Sequence, residues 1–130
     1  MNILFDERLD GSLPQADPQT TRERLRAALP GMTLLDREED RRPFECDGLS
    51  AYRVMPMLVA LPETVDQVVT LLRTCRELRV PVVTRGAGTG LSGGALPLEQ
   101  GVLLVMSRFD RILEIDPEKR IARVQPGVRN

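Results

Sequence analysis

The stretch TRGAGTGLSGG, from Thr84 to Gly94, contains five of the ten glycines of the chain. Glycine loses more backbone entropy on folding than any other residue, so stability alone does not favour such a density. Without Cβ atoms, successive backbone N–H groups can turn inward and form a concave nest for phosphate oxygens. Arg85 adds a guanidinium group that can reach the same phosphate, and Thr89 and Ser92 add hydroxyl donors. The stretch therefore predicts an anion-binding loop, for which a dinucleotide pyrophosphate is the best-fitting class of ligand.

The residues on either side of this loop predict a strand–helix–strand unit and a further strand. Met57–Leu61, Pro81–Thr84 and Val102–Met106 are short apolar runs, as expected for strands covered on both faces. Thr64 and Gln67 form a capping-box pattern, which marks the start of a helix. The first two strands should run parallel, joined by a right-handed crossover. Apolar residues at helical spacing predict one buried stripe on the helix, namely Val65, Val68, Val69, Leu72, Cys75 and Leu78.

Less regular structure is predicted before this unit. Residues 1 to about 16 predict a weakly ordered lead-in. A helix follows, with Asp17 as its N-cap and Pro18 at its first position, and it ends at Pro30. Residues 43–56 have turn residues and no clear periodicity, so they predict an ordered loop.

The last part of the sequence predicts a two-stranded hairpin. Its strands are Arg111–Asp116 and Arg120–Gln125, closed by a turn at Asp116-Pro-Glu-Lys119. A hairpin alone is marginally stable and exposes an unpaired edge. We therefore expect the sequence to be part of a longer protein.

The composition excludes several classes of function. A net charge of −1 gives no overall field for nucleic acid, so no nucleic-acid partner is expected. No histidine occurs, which removes histidine nucleophile activation and histidine metal ligands. Cys46 and Cys75 are far apart, so no metal site is predicted, and Cys75 is expected to be a buried apolar residue. The first residues lack a targeting signal, which favours the cytoplasm.

Three other interpretations of the glycine stretch were compared. Gly88, Gly90 and Gly93 satisfy the G-x-G-x-x-G spacing of a nicotinamide-binding Rossmann site, but that site needs a helix that opens inside the motif. Pro97 and Gly101 leave no room for one. A P-loop needs a lysine that is absent here. A surface loop without a ligand stays an alternative.

The segment PVVTRGAGTGLSGGALP, from Pro81 to Pro97, resembles the pyrophosphate loop of FAD-linked oxidases of the vanillyl-alcohol oxidase and p-cresol methylhydroxylase (PCMH) type. Within this family it is most similar to the FAD-binding D subunits of bacterial glycolate oxidases. The resemblance continues through ECDGLSAYRVMP (Glu45–Pro56), LPETVDQVV (Leu61–Val69) and QPGVRN at the end. It covers roughly residues 30–130.

The resemblance implies a fold of the α/β (α+β) class and a division of the chain. Residues 1–53 would be a lead-in with one helix and a loop, and residues 54–130 part of a PCMH-type FAD-binding domain. That part would hold the first subdomain, a three-stranded parallel sheet with helices, and the opening hairpin of a second, antiparallel subdomain. The FAD-binding residues it implies are Arg85, Gly86, Ala87, Gly88, Thr89, Gly90, Ser92, Gly93, Gly94 and Gly127.

The resemblance also implies chemistry and partners. Relatives that bind flavin covalently through this loop have histidine where Thr89 stands, so FAD should be non-covalent here. The parent reaction would be oxidation of a 2-hydroxy acid such as glycolate or D-lactate, with partner subunits that include an iron–sulfur protein and hold the enzyme at a membrane. The family's catalytic residues are expected beyond Asn130, so none is assigned. The alternative is a free-standing anion-binding or interaction module without enzymatic activity.

Overall fold

The central strands are continuously apolar because helices and loops cover both of their faces. The structure is a computed structural model in which residues 16–129 are described, so the predicted lead-in lies outside this range. The elements, in chain order, are α1 (Pro18–Ala28), β1 (Thr33–Leu35), α2 (Glu38–Arg41), a 3₁₀ helix (Arg42–Phe44), β2 (Leu58–Leu61), α3 (Val65–Leu78), β3 (Val82–Arg85), β4 (Val102–Val105), β5 (Ile112–Asp116) and β6 (Ile121–Val124).

The main sheet has four strands in the order β1-β2-β4-β3. The strands β2, β4 and β3 are parallel, and the register aligns Val102 with both Leu58 and Val82. The three predicted parallel strands are therefore confirmed, although β4 lies between the two strands that α3 connects. The sequence analysis missed β1, which pairs antiparallel with β2 and makes the sheet mixed. This strand lies within residues 1–53, which were predicted to have one helix and a loop, so that segment also contributes to the sheet.

Alternation along the strands divides the core between the two faces of the sheet. Leu58 and Leu104 pack toward α1 and α3, in a cluster that includes Leu25 and Leu71. Leu103 belongs to the cluster on the opposite face, which the 3₁₀ helix helps to cover. Both faces are thus excluded from water, which accounts for the unbroken apolar runs.

Helix α3 begins as predicted but buries a different face. The Thr64 hydroxyl accepts the N–H of Gln67, as in a capping box. The Gln67 amide oxygen accepts the N–H of Glu63, the residue before the cap, and not that of Thr64 itself. The predicted stripe is wrong in part, because Leu71 is fully buried whereas Leu72 is 44% exposed. Val65 and Val69 are also exposed, and the face toward the core carries Val68, Leu71, Thr74, Cys75 and Leu78.

The predicted hairpin is confirmed as β5 and β6, which form a separate two-stranded sheet. Asp116 closes the turn of the hairpin, because its carboxylate accepts the backbone N–H of Lys119 and forms an ion pair with the Lys119 ammonium group. These bonds hold the pKa of the Asp116 carboxyl below its ordinary value. Apolar side chains of the hairpin are exposed to solvent, namely Ile112, Leu113, Ile115, Ile121 and Val124.

Candidate functional site: the glycine-rich loop

The glycine-rich loop, defined as residues 86–94, leaves the sheet at the carboxyl end of β3. In open α/β sheets this edge is where ligands bind. No helix or strand occurs from residue 86 to residue 101, so the helix that a Rossmann site requires is absent from this part of the described chain. The chain instead crosses the edge of the sheet as an open loop before it enters β4.

The backbone N–H groups of this loop are unpaired. None of the nine N–H groups from Gly86 to Gly94 has an acceptor within residues 16–129, whereas the next two N–H groups, of Ala95 and Leu96, are both bonded. Gly88 and Gly93 have left-handed backbone angles, with φ of +74° and +72°. Such angles let neighbouring N–H groups converge, as in anion-binding nests. The loop can therefore donate several hydrogen bonds to one anionic group.

Packing within the fold requires some of these glycines and not others. A Cβ at Gly86 would lie 2.6 Å from the carbonyl oxygen of Pro126, and one at Gly88 would collide with the Arg85 guanidinium. Gly90 and Gly94 are different, because a Cβ there would have no atom of the described chain within 4 Å and their φ angles are not in the left-handed region. The fold gives no reason for glycine at these two positions.

Arg85 lies beneath the loop and is held by the protein. Its Nη1 donates to the carbonyl oxygen of Cys46 at 2.6 Å, and its Cζ lies 5.7 Å from the centroid of the Phe44 ring. The guanidinium also fills the space beside Gly88. The sequence predicts this group as a phosphate ligand, and the structure adds that it packs against the loop at Gly88. The other predicted side chains, Thr89 and Ser92, are exposed on the loop.

Sequence analysis missed a second segment that contacts the loop, Cys46–Gly48, called here the tether. Besides the Cys46 carbonyl, it contributes the buried Asp47, whose Oδ1 accepts the N–H of Leu49 at 2.8 Å and whose Oδ2 accepts the N–H of Ala95 at 3.3 Å. A Cβ at Gly48 would lie 2.6 Å from the carbonyl oxygen of Gly90. The only signal in the sequence is the Asp-Gly pair, which predicts a turn but not its partner.

Gly127 is brought to the same edge of the sheet. Its N–H donates to the Phe109 carbonyl oxygen at 2.8 Å, and a Cβ there would collide with the Met106 carbonyl oxygen. The preceding residue, Pro126, places its carbonyl against Gly86. The structure therefore brings Gly127 next to the start of the loop, as the sequence analysis had grouped them, and gives its own packing reason for glycine at 127.

The described chain offers few groups for catalysis around this loop. Residues 16–129 contain no cluster of three cysteine, aspartate or glutamate side chains that could hold a metal ion. Cys75 is fully buried, as predicted, and burial raises the pKa of its thiol to about 11. Such a thiol is protonated and unreactive near neutral pH. The arrangement around the loop can hold an anion.

Comparison with known proteins gives the class of protein to which this fold belongs. Residues 56–130 match a family model described as "FAD binding domain". The chain therefore belongs to this family of FAD-binding proteins.

The particular relatives are more specific. The chain is 62% identical over 130 residues to glycolate oxidase subunit GlcD of Escherichia coli (strain K12), which covers all of this chain and 26% of that protein. It is 42% identical over 93 residues to the GlcD subunit of Bacillus subtilis (strain 168), covering 72% of this chain and 20% of that protein. The sequence thus spans about a quarter of the length of these relatives, the larger share being 26%.

A solved structure supports the fold. The chain superposes on p-cresol methylhydroxylase with substrate bound, at a TM-score of 0.71 and 25% identity, covering 90% of this chain and 24% of that one. The predicted PCMH-type fold class is therefore confirmed. Within residues 16–129, no helix is long and apolar enough to cross a membrane.

Proposed function

We propose that this chain is the pyrophosphate-binding part of an FAD-dependent oxidoreductase that oxidises a small 2-hydroxy acid of the glycolate or D-lactate type. The glycine-rich loop, including Arg85 beneath it and Gly127 beside it, would hold the pyrophosphate of FAD. Residues 54–130 would then be part of the FAD domain, and residues 1–53 the segment that precedes it. The name of the GlcD relatives described above, glycolate oxidase subunit, supports the substrate class.

One observation carries the proposal. The N–H groups of residues 86–94 have no acceptor within the described chain, and glycine at positions 90 and 94 has no explanation in the fold. Backbone N–H groups that are even partly removed from water need a partner, because an unmade hydrogen bond is costly. A pyrophosphate supplies charged oxygens to such a loop, and a bare Cα lets them approach closely. The residues present therefore fit this part of FAD.

The chain's own residues would bind and orient the cofactor without attaching to it. The loop has no histidine, and the two cysteines of the chain lie elsewhere, Cys75 in the core and Cys46 with its carbonyl on Arg85. Bound FAD supplies the capacity to accept a hydride from the α-carbon of the substrate. We propose that it is held non-covalently, by charge-assisted hydrogen bonds from the backbone.

The wider setting of the enzyme is part of the same proposal. As a subunit of an oxidase, the protein would pass electrons to partner subunits, one of them an iron–sulfur protein. We propose a cytoplasmic location, with attachment to the membrane through those partners. The relatives' description as subunits supports an assembly of several chains.

The test uses the full-length protein encoded by the gene that contains this sequence. Purified protein is expected to carry one FAD per chain, and acid precipitation should release all of the flavin into the supernatant. Anaerobic addition of glycolate or D-lactate should bleach the flavin absorption. Protein that contains no flavin, or flavin that stays with the precipitated polypeptide, would contradict the binding proposal. If neither glycolate nor D-lactate reduces the bound flavin, the proposed substrate class is contradicted, but the proposed binding of FAD is not.

A further inference from the structure

The tether contacts the glycine-rich loop in its middle, and it also contacts the residues directly before and after the loop, Arg85 and Ala95. The Cys46 carbonyl holds Arg85, which packs against Gly88 near the start of the loop. Gly48 lies against the carbonyl groups of Thr89 and Gly90 in its middle. The loop thus packs against a segment that lies far earlier in the sequence; Cys46 and Arg85 are 39 residues apart.

Asp47 fixes the far end of the loop. Asp47 is 6% exposed, and its two carboxylate oxygens accept the N–H of Leu49 and the N–H of Ala95. The run of unpaired N–H groups ends at Gly94, because the next N–H is the one that Asp47 takes. A carboxylate buried without hydrogen-bond partners would be costly, and one close to a bound anion would also repel that anion. The presence of Asp47 there is explained by the hydrogen bonds that it accepts.

Contact with Gly48 also sets the direction of a donor. The nearest atom to a Cβ built on Gly48 is the carbonyl oxygen of Gly90, at 2.6 Å, so that carbonyl points toward the tether. No cis peptide bond occurs in the described chain, and in a trans peptide the N–H lies opposite the carbonyl. The N–H of Leu91 therefore points away from the tether, toward the exposed side of the loop, where a ligand can reach it.

We infer that Asp47 is a positioning residue for FAD, which sets the shape of the pyrophosphate-binding loop without contacting the cofactor. This inference rests on the proposed function. Fixing a loop in its binding conformation lowers the ordering cost of binding, so its loss weakens affinity even when the ligand's own contacts are retained. The effect should be confined to binding, because the loop lies outside the two clusters of the core.

The experiment uses full-length protein stripped of FAD. Asp47→Asn keeps the shape of the side chain but leaves one acceptor where there were two. We expect FAD to bind at least about tenfold more weakly, in line with the loss of a hydrogen bond to a charged group. The absorption spectrum of the flavin at saturation and the melting temperature of the FAD-free protein should stay as in the wild type. The matched control is Glu45→Gln, which breaks the ion pair with Arg53 in the same segment without touching the loop, and it should leave FAD affinity unchanged.

The outcomes separate this inference from the proposed function. If Asp47→Asn binds FAD as tightly as the wild type, the inference is overturned. It is also overturned if weaker FAD binding is accompanied by an altered flavin spectrum and a lower melting temperature. If Asp47→Asn does not fold, the FAD affinity of Gly48→Ala is measured instead, because the added Cβ must displace the Gly90 carbonyl. If Gly48→Ala binds FAD as tightly as the wild type, the inference is overturned. If Gly90→Ala and Gly94→Ala also leave FAD affinity unchanged, the proposed function of the loop fails as well.

Discussion

Replacing Gly90 with alanine is expected to stabilise the FAD-free protein and to weaken FAD binding. The φ angle of Gly90 is not in the left-handed region, and a Cβ there meets no atom of the described chain within 4 Å. At such a site, alanine stabilises a protein by about 0.4–1 kcal/mol, because it restricts the unfolded chain. The melting temperature of the stripped protein should therefore rise by roughly 1–4 °C.

The effect on binding has the opposite sign. If the open space at Gly90 admits a pyrophosphate oxygen, a methyl group there keeps the oxygen away from the N–H donors. The loss of one charge-assisted hydrogen bond is worth about 1.5–3 kcal/mol, which weakens FAD binding about tenfold to a hundredfold. Titration of the stripped protein with FAD, followed by flavin fluorescence, measures this change.

Gly88→Ala is the matched comparison, because Gly88 has a φ of +74° and lies against the Arg85 guanidinium. Alanine there should destabilise the stripped protein by about 1–3 kcal/mol, since both the backbone angle and the packing oppose a Cβ. The reasoning about Gly90 is refuted if Gly90→Ala lowers the melting temperature of the stripped protein, or if it leaves the dissociation constant of FAD unchanged.

Three further outcomes are expected from the structure. Gly127→Ala should destabilise the protein by about 1–3 kcal/mol in urea denaturation, because its Cβ collides with the Met106 carbonyl; unchanged stability would contradict that packing. The Cys75 thiol ionises near pH 9.0 when unfolded and at about 11 when folded, so its contribution to stability is complete below pH 9.0 and is lost as pH rises toward about 11. Cys75→Ala should remove this part of the pH dependence, and native Cys75 should resist thiol reagents in peptide mapping. Thr64→Ala should cost about 0.5–2 kcal/mol of stability, measured by denaturation, because the N-cap of α3 is lost, whereas Thr70→Ala on the same helix tests for a general effect of removing threonine.

The parts of the fold that follow from neighbouring residues were predictable from the sequence. The cap of α3 joins Thr64 to Gln67, three residues apart, and the apolar strands carry their pattern within five residues. Strand β1 was missed because Thr33–Leu35 is too short to show a pattern, and it is a strand only through its pairing with β2. The buried face of α3 was partly wrong, since Leu71 and Leu72 are equally apolar and only the packing against α1 and the sheet chooses between them.

For the candidate site, the loop itself was predictable and its support was not. The density of glycine and the missing helix after it predict an open, anion-binding loop, and the N–H groups from Gly86 to Gly94 have no acceptor within residues 16–129. The position of the Arg85 guanidinium depends on the Phe44 ring and on the Cys46 carbonyl, which is 39 residues away in the sequence. Such distant contacts could not be predicted from the sequence. These contacts hold the guanidinium against the protein, and its part in binding a ligand stays a prediction.

The contacts of the tether mean that the motif alone does not define the binding loop. Gly90 does not itself fix the direction of the peptide group between Gly90 and Leu91, because glycine allows many backbone angles. That direction is set by Gly48, against which the Gly90 carbonyl packs, and the end of the loop is set by Asp47. If the stretch from Thr84 to Gly94 were moved into another protein without the tether, its backbone would stay flexible and would not keep this loop conformation. The proposed binding loop is therefore formed by two distant segments, one that supplies the N–H groups and one that fixes their direction.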